Sequence, residues 1–135
     1  MFVALFAVYA ALLTIGTHWP RLQIEGPIPR PDLYIHLAAW SLAALLLALS
    51  GLAGWATTRT GAGRVWIIAL VWCTADELTQ AIPGLGRTVA LDDWLMNAAG
   101  VSLGTLAAAG AYRTPLLGRW LPSPGPGRKE GSHTG

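Results

Sequence analysis

Residues 76–104 read DELTQAIPGLGRTVALDDWLMNAAGVSLG, so carboxylates, amides and an arginine stand between two long apolar segments. Those segments, 64–82 and 93–112, approach the ~20 residues that a helix needs to cross ~30 Å of hydrocarbon. Ionisable side chains at the edge of a membrane span are costly to bury, which makes them candidate functional residues. This stretch therefore predicts two membrane helices joined by a short polar turn.

Two further apolar segments, 2–18 and 33–53, precede this stretch. Over the whole chain 53% of the residues are apolar and 12% are charged, a composition typical of proteins that lie in a bilayer. The first segment has no Lys or Arg before its apolar run and no convincing small-x-small cleavage site, so we interpret it as a span and not as a signal peptide. The predicted fold is all-α: a polytopic membrane protein with four transmembrane helices in a compact bundle over residues 1–113.

The two sides of the predicted bundle differ in charge. Four spans put both chain ends on one side, including a Pro- and Gly-rich tail at 114–135 that we expect to be disordered. That side carries six cations and one acidic residue, about +5, whereas the other carries three cations and six acidic residues, −3. The excess of Lys and Arg predicts that both termini are cytoplasmic. The basic isoelectric point then reflects topology and indicates no nucleic-acid partner.

Each of the last three segments has one face suited to burial against its neighbours. Gly100 and Gly104 are one turn apart, a spacing that lets two helices approach closely. Toward the outer end, His36, Glu77 and Asn97 would lie ~5 to 8 Å inside their spans at ~1.5 Å per residue, which predicts one shallow polar pocket. The three predicted faces are Asp32, His36, Ala39, Ala43 and Ser50; Cys73, Asp76, Glu77 and Gln80; and Asp93, Asn97, Gly100 and Gly104.

Three short motifs stand in a fixed order along the chain, each at the outer end of a span. They are Asp32-x-x-x-His36, Asp76-Glu77-x-x-Gln80, and Asp93-x-x-x-Asn97 with Arg87 ahead of it. With these motifs in this order, the chain resembles the VanZ-like membrane protein family over most of its length before the tail. The resemblance implies a small polytopic protein of the cell envelope, placed in a bacterial inner or plasma membrane. The founding member of that family is linked to resistance to the glycopeptide teicoplanin, but the resemblance supplies no established reaction.

The polar pocket is compatible with three functions. An enzyme acting on a lipid or envelope headgroup would use Glu77 or Asp93 as the general base and His36 as the acid. A binding protein would hold a membrane lipid, a lipid-linked precursor or an amphiphilic antibiotic without breaking bonds. A structural cluster would pack the helices of a protein that acts through partner membrane proteins or as an oligomer. We favour binding or remodelling, because no nucleophile other than water stands in the cluster; its contact residues would be Asp32, Asp76, Gln80, Arg87 and Asn97.

A divalent cation is compatible with either of the first two functions. Its ligands would be Asp32, His36, Glu77 and Asp93. Carboxylate oxygens suit Mg²⁺ or Ca²⁺, and an imidazole also admits Zn²⁺ or Mn²⁺. In the enzyme, Arg87 would clamp an anion; alternatively, it would only neutralise a buried carboxylate, Glu77 or Asp93.

Several of these side chains also have an ordinary structural interpretation. Gln80 and Asn97 would then supply hydrogen bonds between helices. We expect Asp76 and Asp92 to be the solvated members of their acidic pairs. Arg30 is expected to be an ordinary loop charge.

Overall fold

The computed structural model describes residues 1–19, 27, 29–82 and 89–122, and in these ranges the chain is helical with no strand. Four long helices follow one another, and a single short helix follows the fourth. The all-α prediction is confirmed, and each long helix coincides with one predicted apolar segment. Only the first part of the predicted disordered tail, up to residue 122, lies within these ranges. The helices are α1 Phe2–Thr17, α2 Pro31–Ser50, α3 Arg59–Thr79, α4 Leu91–Arg113 and α5 Pro115–Gly118.

Local sequence signals set the ends of the helices. Pro31 stands in the first turn of α2, where its missing N–H costs no hydrogen bond. Gly51 ends α2 in the left-handed conformation, with φ 74°. α3 begins before its predicted segment because the Thr58 hydroxyl caps it, accepting a hydrogen bond from the Gly61 backbone N–H at 3.0 Å. A polar cap therefore extends this helix beyond its apolar run.

The closest helix pairing joins α2 and α4. The Ser41 hydroxyl of α2 donates to the Gly100 carbonyl of α4 at 3.0 Å. A Cβ at Gly100 would lie 2.4 Å from the Leu37 carbonyl oxygen, and a Cβ at Gly104 would lie 2.0 Å from that of Ser41. No side chain fits at either position, so the predicted small-residue contact between helices is confirmed.

The helices α1 and α3 pack against this pair less closely. The Tyr9 hydroxyl of α1 donates to the Ala39 carbonyl of α2 at 2.8 Å. Phe6 of α1 meets Trp72 of α3 edge to face, with ring centroids 5.9 Å apart. Trp72 also packs on the fully buried Trp40 at 4.8 Å, and no described residue pairs with the Trp40 indole N–H.

The bundle has large apolar side chains on its outside as well as in its core. Every long helix exposes some of them, and Leu12 of α1, Val71 of α3 and Leu106 of α4 are each more than half exposed. The interior holds Glu77 and Asn97, of which no more than 1% is exposed. A water-soluble fold normally has the reverse distribution, with charged residues outside and few large apolar patches.

One helix among the described residues, α2, has both the length and the composition of a membrane span, and α1 is apolar but shorter. Charged residues at both ends of α3 and the Gly, Ser and Thr residues of α4 lower their apolar character. This finding supports membrane association weakly. It does not test the finer prediction that all four long helices span the membrane.

Candidate functional site

Polar side chains gather at one end of the bundle, where α1 and α3 end and α2 and α4 begin. Helices that run in alternating directions bring motifs from distant parts of the sequence to this end. Arg87 lies outside the described residues. The other predicted site residues are all found here: Asp32, His36, Asp76, Glu77, Gln80, Asp93 and Asn97.

Glu77 is the most deeply buried carboxylate of this end, with 1% of it exposed. It lies in the last turn of α3, facing the start of α4. Its Oε1 accepts a hydrogen bond from the Ala90 backbone N–H at 3.0 Å, and its Oε2 accepts one from Asn97 Nδ2 at 3.4 Å. Because both oxygens face N–H donors, the arrangement matches an ionised carboxylate.

His36 continues this series toward the surface. Its Nδ1 lies 2.9 Å from Asn97 Oδ1, and because that oxygen only accepts, Nδ1 carries the hydrogen. Its Nε2 lies 3.8 Å from Asp93 Oδ2, beyond the length of a direct hydrogen bond. Glu77, Asn97, His36 and Asp93 therefore form one polar series from the core to the mouth of the site, which we name the polar series.

Arg30 closes the outer end of the polar series. Its guanidinium contacts Asp92 Oδ2, lies 3.2 Å from Asp32 Oδ2 and lies 3.5 Å from Asp93 Oδ1. The expectation that Arg30 is an ordinary loop charge is therefore wrong. Its left-handed backbone, φ 51°, directs the chain into α2 just before Pro31. The Asp92 side chain is 45% exposed and reaches solvent, as predicted. We name Arg30, Asp32, Asp92 and Asp93 the mouth cluster.

Replacing Arg30 by alanine should remove a pH-dependent part of the stability. Asp92 lies just before the predicted span 93–112, and its hydrogen bond from Arg30 holds its pKa below the usual 3.8. A carboxyl group with a lowered pKa stabilises the folded state above its usual pKa and loses that effect as the pH falls through the lowered value.

At neutral pH the Arg30→Ala variant should therefore unfold at a lower temperature than the wild type, and the difference should shrink in acid. Arg30→Lys keeps the charge but not the planar fork, so it should recover part of the loss. Thermal unfolding followed across this pH range measures the effect. A difference that persists unchanged in acid would contradict this role of Asp92.

Asp76 is buried, with 5% exposed, so the expectation that it is solvated is wrong. Its Oδ1 accepts a hydrogen bond from the Thr17 hydroxyl at 3.0 Å, and its Oδ2 accepts one from Gln80 Nε2 at 3.3 Å. His18 Nδ1 lies 3.6 Å from the same Oδ1, and His18 Nε2 lies 2.9 Å from the Thr79 hydroxyl oxygen. The burial of Asp76 thus depends on residues at the end of α1.

Thr17 and His18 are site residues that the sequence reasoning missed. They close the first apolar segment, 2–18, where they look like the ordinary polar end of a span. One signal points to them: both residues end the first apolar segment on the side of the predicted bundle where the other polar motifs lie. The same topology places Asp76 at that end.

The four proposed metal ligands do not come together as one ligand set. Within the described ranges, no group of three or more His, Cys, Asp or Glu side chains is arranged to hold a metal ion. Both oxygens of Glu77 face N–H donors, and Asp32 faces Arg30. These residues therefore do not fit a cation held by Asp32, His36, Glu77 and Asp93 together.

The parts of the site differ in their access to solvent. Glu77 and Asn97 are enclosed, and His36 and Asp93 are only slightly exposed. Arg30, in contrast, has 52% of its side chain exposed. A ligand approaching from outside would therefore meet the mouth cluster first, while the inner polar series sets the positions of His36 and Asp93.

No family model, curated protein or solved structure matches this chain. The resemblance to VanZ-like proteins therefore rests on the three motifs and their order along the chain.

Proposed function

We propose that this chain is a VanZ-like integral membrane protein of the bacterial cell envelope, with four membrane-spanning helices. Its polar end faces the outer leaflet and binds or remodels an amphiphile. The candidate ligands are a lipid headgroup, a cell-wall precursor and a glycopeptide antibiotic of the teicoplanin type. The role is resistance-like, because occupying or altering such a ligand changes how the envelope responds to the drug.

The observation that carries this proposal is that the bundle exposes large apolar side chains and encloses charged and polar ones. In water, exposed apolar area costs roughly 25 cal/mol per Å², and hydrocarbon removes that cost. Ionisable residues inside a membrane face the bundle interior and find polar partners there. Glu77 and Asp76 do so here, because each accepts a hydrogen bond from a side-chain amide, Asn97 and Gln80 respectively. Exposed side chains on the outer faces include Val8, Leu12, Ile35, Leu42, Ile67, Val71, Leu103 and Leu106.

The distribution of charge supports the orientation. The described cations at the opposite end of the bundle are Arg59, Arg64, Arg113 and Arg119, whereas the polar end carries the aspartates. Positive charge favours the cytoplasmic side. The mouth cluster then faces the periplasm or the exterior, where envelope precursors and glycopeptides are found.

Binding is favoured over catalysis by the way the inner groups are paired. Asn97 engages the Nδ1 atom of His36, and the enclosed Glu77 accepts two hydrogen bonds, so among these inner groups only the Nε2 atom of His36 is left to take a proton from a ligand. The mouth cluster combines one guanidinium with three carboxylates. Such a surface suits a headgroup that carries both an anionic group and an ammonium group.

A membrane-embedded hydrolase or transferase is the second candidate. The observation in its favour is the approach of His36 Nε2 to Asp93 Oδ2, 3.8 Å, at the border between core and mouth. A positioned imidazole is the most common proton-transfer group in enzymes. In this mechanism Asp93 would orient His36, which would act on a water or headgroup oxygen.

Susceptibility of a bacterial host that lacks the gene tests the binding proposal. The host would express the wild type, Asp93→Asn or Arg119→Gln at matched membrane levels and face a glycopeptide panel. Losing one charge-assisted contact should weaken binding about tenfold, so Asp93→Asn should lose protection. Arg119→Gln, which removes a charge at the opposite end, should protect like the wild type.

The outcomes separate the three functions. Equal protection by Asp93→Asn would show that the cluster only packs helices and would turn attention to partner proteins. The enzyme would be favoured by two results together: Asp93→Asn loses protection, and the purified wild type turns over a headgroup substrate whereas His36→Gln does not. Loss of protection without turnover would favour binding.

A further inference from the structure

The helix α1 is the least anchored of the four long helices. It has no buried residue, whereas each of the other three has six or seven. No glycine of α1 meets a neighbouring backbone in the way that Gly100 and Gly104 meet α2. A displacement of α1 would therefore leave the α2–α4 core in place.

A polar latch at the end of α1 fastens it to α3. Thr17 donates to Asp76 Oδ1 at 3.0 Å, and His18 reaches both Asp76 and the Thr79 hydroxyl. The His18 ring is oriented by the Thr14 carbonyl, which lies 3.0 Å from Nδ1. We name the contacts of Thr17 and His18 with Asp76 and Thr79 the α1 latch.

The α1 latch is what covers Asp76 on the side of the bundle. Both contacts of its Oδ1 come from the end of α1, and only the Gln80 contact to Oδ2 comes from its own helix. If α1 moved away, Oδ1 would lose both contacts and face the surroundings. A carboxylate at that depth needs replacement donors, because burying it unpaired is very costly.

The seam between α1 and α3 continues below the latch. Phe6 and Trp72 close it by an edge-to-face contact, and Trp72 packs directly on Trp40. The Trp40 indole N–H is fully buried and no described residue pairs with it. A polar donor and a polar acceptor, Trp40 and Asp76, thus lie behind the least anchored helix.

We propose that α1 is a lateral lid, which swings away from α3 to admit the headgroup of an amphiphile from the outer leaflet. An ammonium or hydroxyl group of that headgroup replaces Thr17 as the donor to Asp76 Oδ1 and takes the place of the nearby His18 ring. The lid rests on the proposed membrane placement. It adds to that proposal the route by which the ligand enters and the chemical class of its headgroup. It predicts a second contact site, on α3, beside the mouth cluster on α2 and α4.

The native thiol of Cys73 provides the test. Cys73 is the one cysteine of the chain, is fully buried and lies one turn before Asp76 on the same face of α3. The purified full-length chain in phosphatidylcholine vesicles would be treated with N-ethylmaleimide. Breaking the latch with Thr17→Val and His18→Leu should speed labelling about tenfold, since two polar contacts are lost.

Two controls separate lid opening from general loosening. Thr114→Val makes the same chemical change at the opposite end and should leave the labelling rate of Cys73 unchanged. A thiol placed in the α4 core, by Val101→Cys with Cys73→Ala, should stay slow in both latched and unlatched chains because Val101 is fully buried there. Faster labelling at both thiols, or no change at Cys73, would overturn the lid.

The chemical class of the headgroup is tested with lipid composition. Phosphatidylcholine has no hydrogen-bond donor, whereas phosphatidylethanolamine offers an ammonium group and phosphatidylglycerol offers hydroxyl groups. In the unlatched chain, vesicles containing either of the latter should slow Cys73 labelling relative to phosphatidylcholine alone. Equal rates in all vesicles would overturn the proposed donor exchange at Asp76.

The membrane placement is measured separately, by extraction of the same membranes with alkaline carbonate. A chain that leaves the membrane in carbonate would contradict the proposed function itself. A chain that resists extraction yet shows no change in labelling would contradict the lid alone.

Discussion

One methyl group at Gly104 should prevent the bundle from assembling. In Gly104→Ala the new Cβ would lie 2.0 Å from the Ser41 carbonyl oxygen and 2.9 Å from its carbon, both backbone atoms that no rotamer change can move. The helices α2 and α4 must separate to relieve this contact. We expect a loss of at least about 3 kcal/mol, the upper end of the usual cost of overpacking.

The same helix offers a matched control. Gly110 has nothing within 4 Å of its Cβ position, so Gly110→Ala should be neutral or should stabilise α4 by up to about 1 kcal/mol through its higher helix propensity. Membrane accumulation and thermal unfolding in detergent, followed by tryptophan fluorescence, would compare the two variants. Wild-type accumulation and unfolding of Gly104→Ala would refute the close α2–α4 crossing.

The second large effect concerns Glu77 and Asn97. In Glu77→Gln, one amide N–H must face another donor, because the wild-type carboxylate accepts from both Ala90 and Asn97. In Asn97→Asp, two carboxylates come into contact. Each single variant should be destabilised by about 1–3 kcal/mol per group left unpaired.

The double variant should recover much of that loss. With Gln at position 77 and Asp at position 97, the amide N–H of the first again has an oxygen to donate to, and the second still accepts from His36 Nδ1. A double-mutant cycle by thermal unfolding measures the coupling, which should exceed about 1 kcal/mol. Simple addition of the two single losses would mean that the two side chains do not contact each other.

Helical periodicity by itself identifies much of this site. The faces carrying Glu77, Asn97, Gly100 and Gly104 follow from the spacing of 3.6 residues per turn, and they are buried as predicted. Periodicity gives the direction of a side chain from its own helix. It does not give the neighbour that covers that side chain, which is why the expectation that Asp76 is solvated is wrong.

Two further features could not be derived from spacing. Arg30 reaches three aspartates because its backbone is left-handed, and nothing in the residue type announces that conformation for an arginine. Thr17 meets Asp76 across 59 positions of sequence, so its role depends on how α1 lies against α3. Contacts of this kind are properties of the assembled bundle.

The pairing of α2 with α4 also has a consequence for synthesis of the protein. These helices are separated by the whole of α3, so α2 leaves the ribosome before the glycines that cover Ser41 have been made. At about 5–20 residues per second the wait lasts several seconds. During that time the His36 and Ser41 face of α2 has no partner, and a chain truncated before Gly104 would retain that exposed face permanently. We expect cellular proteases to degrade such a product, so survival of the protein depends on completion of the last long helix.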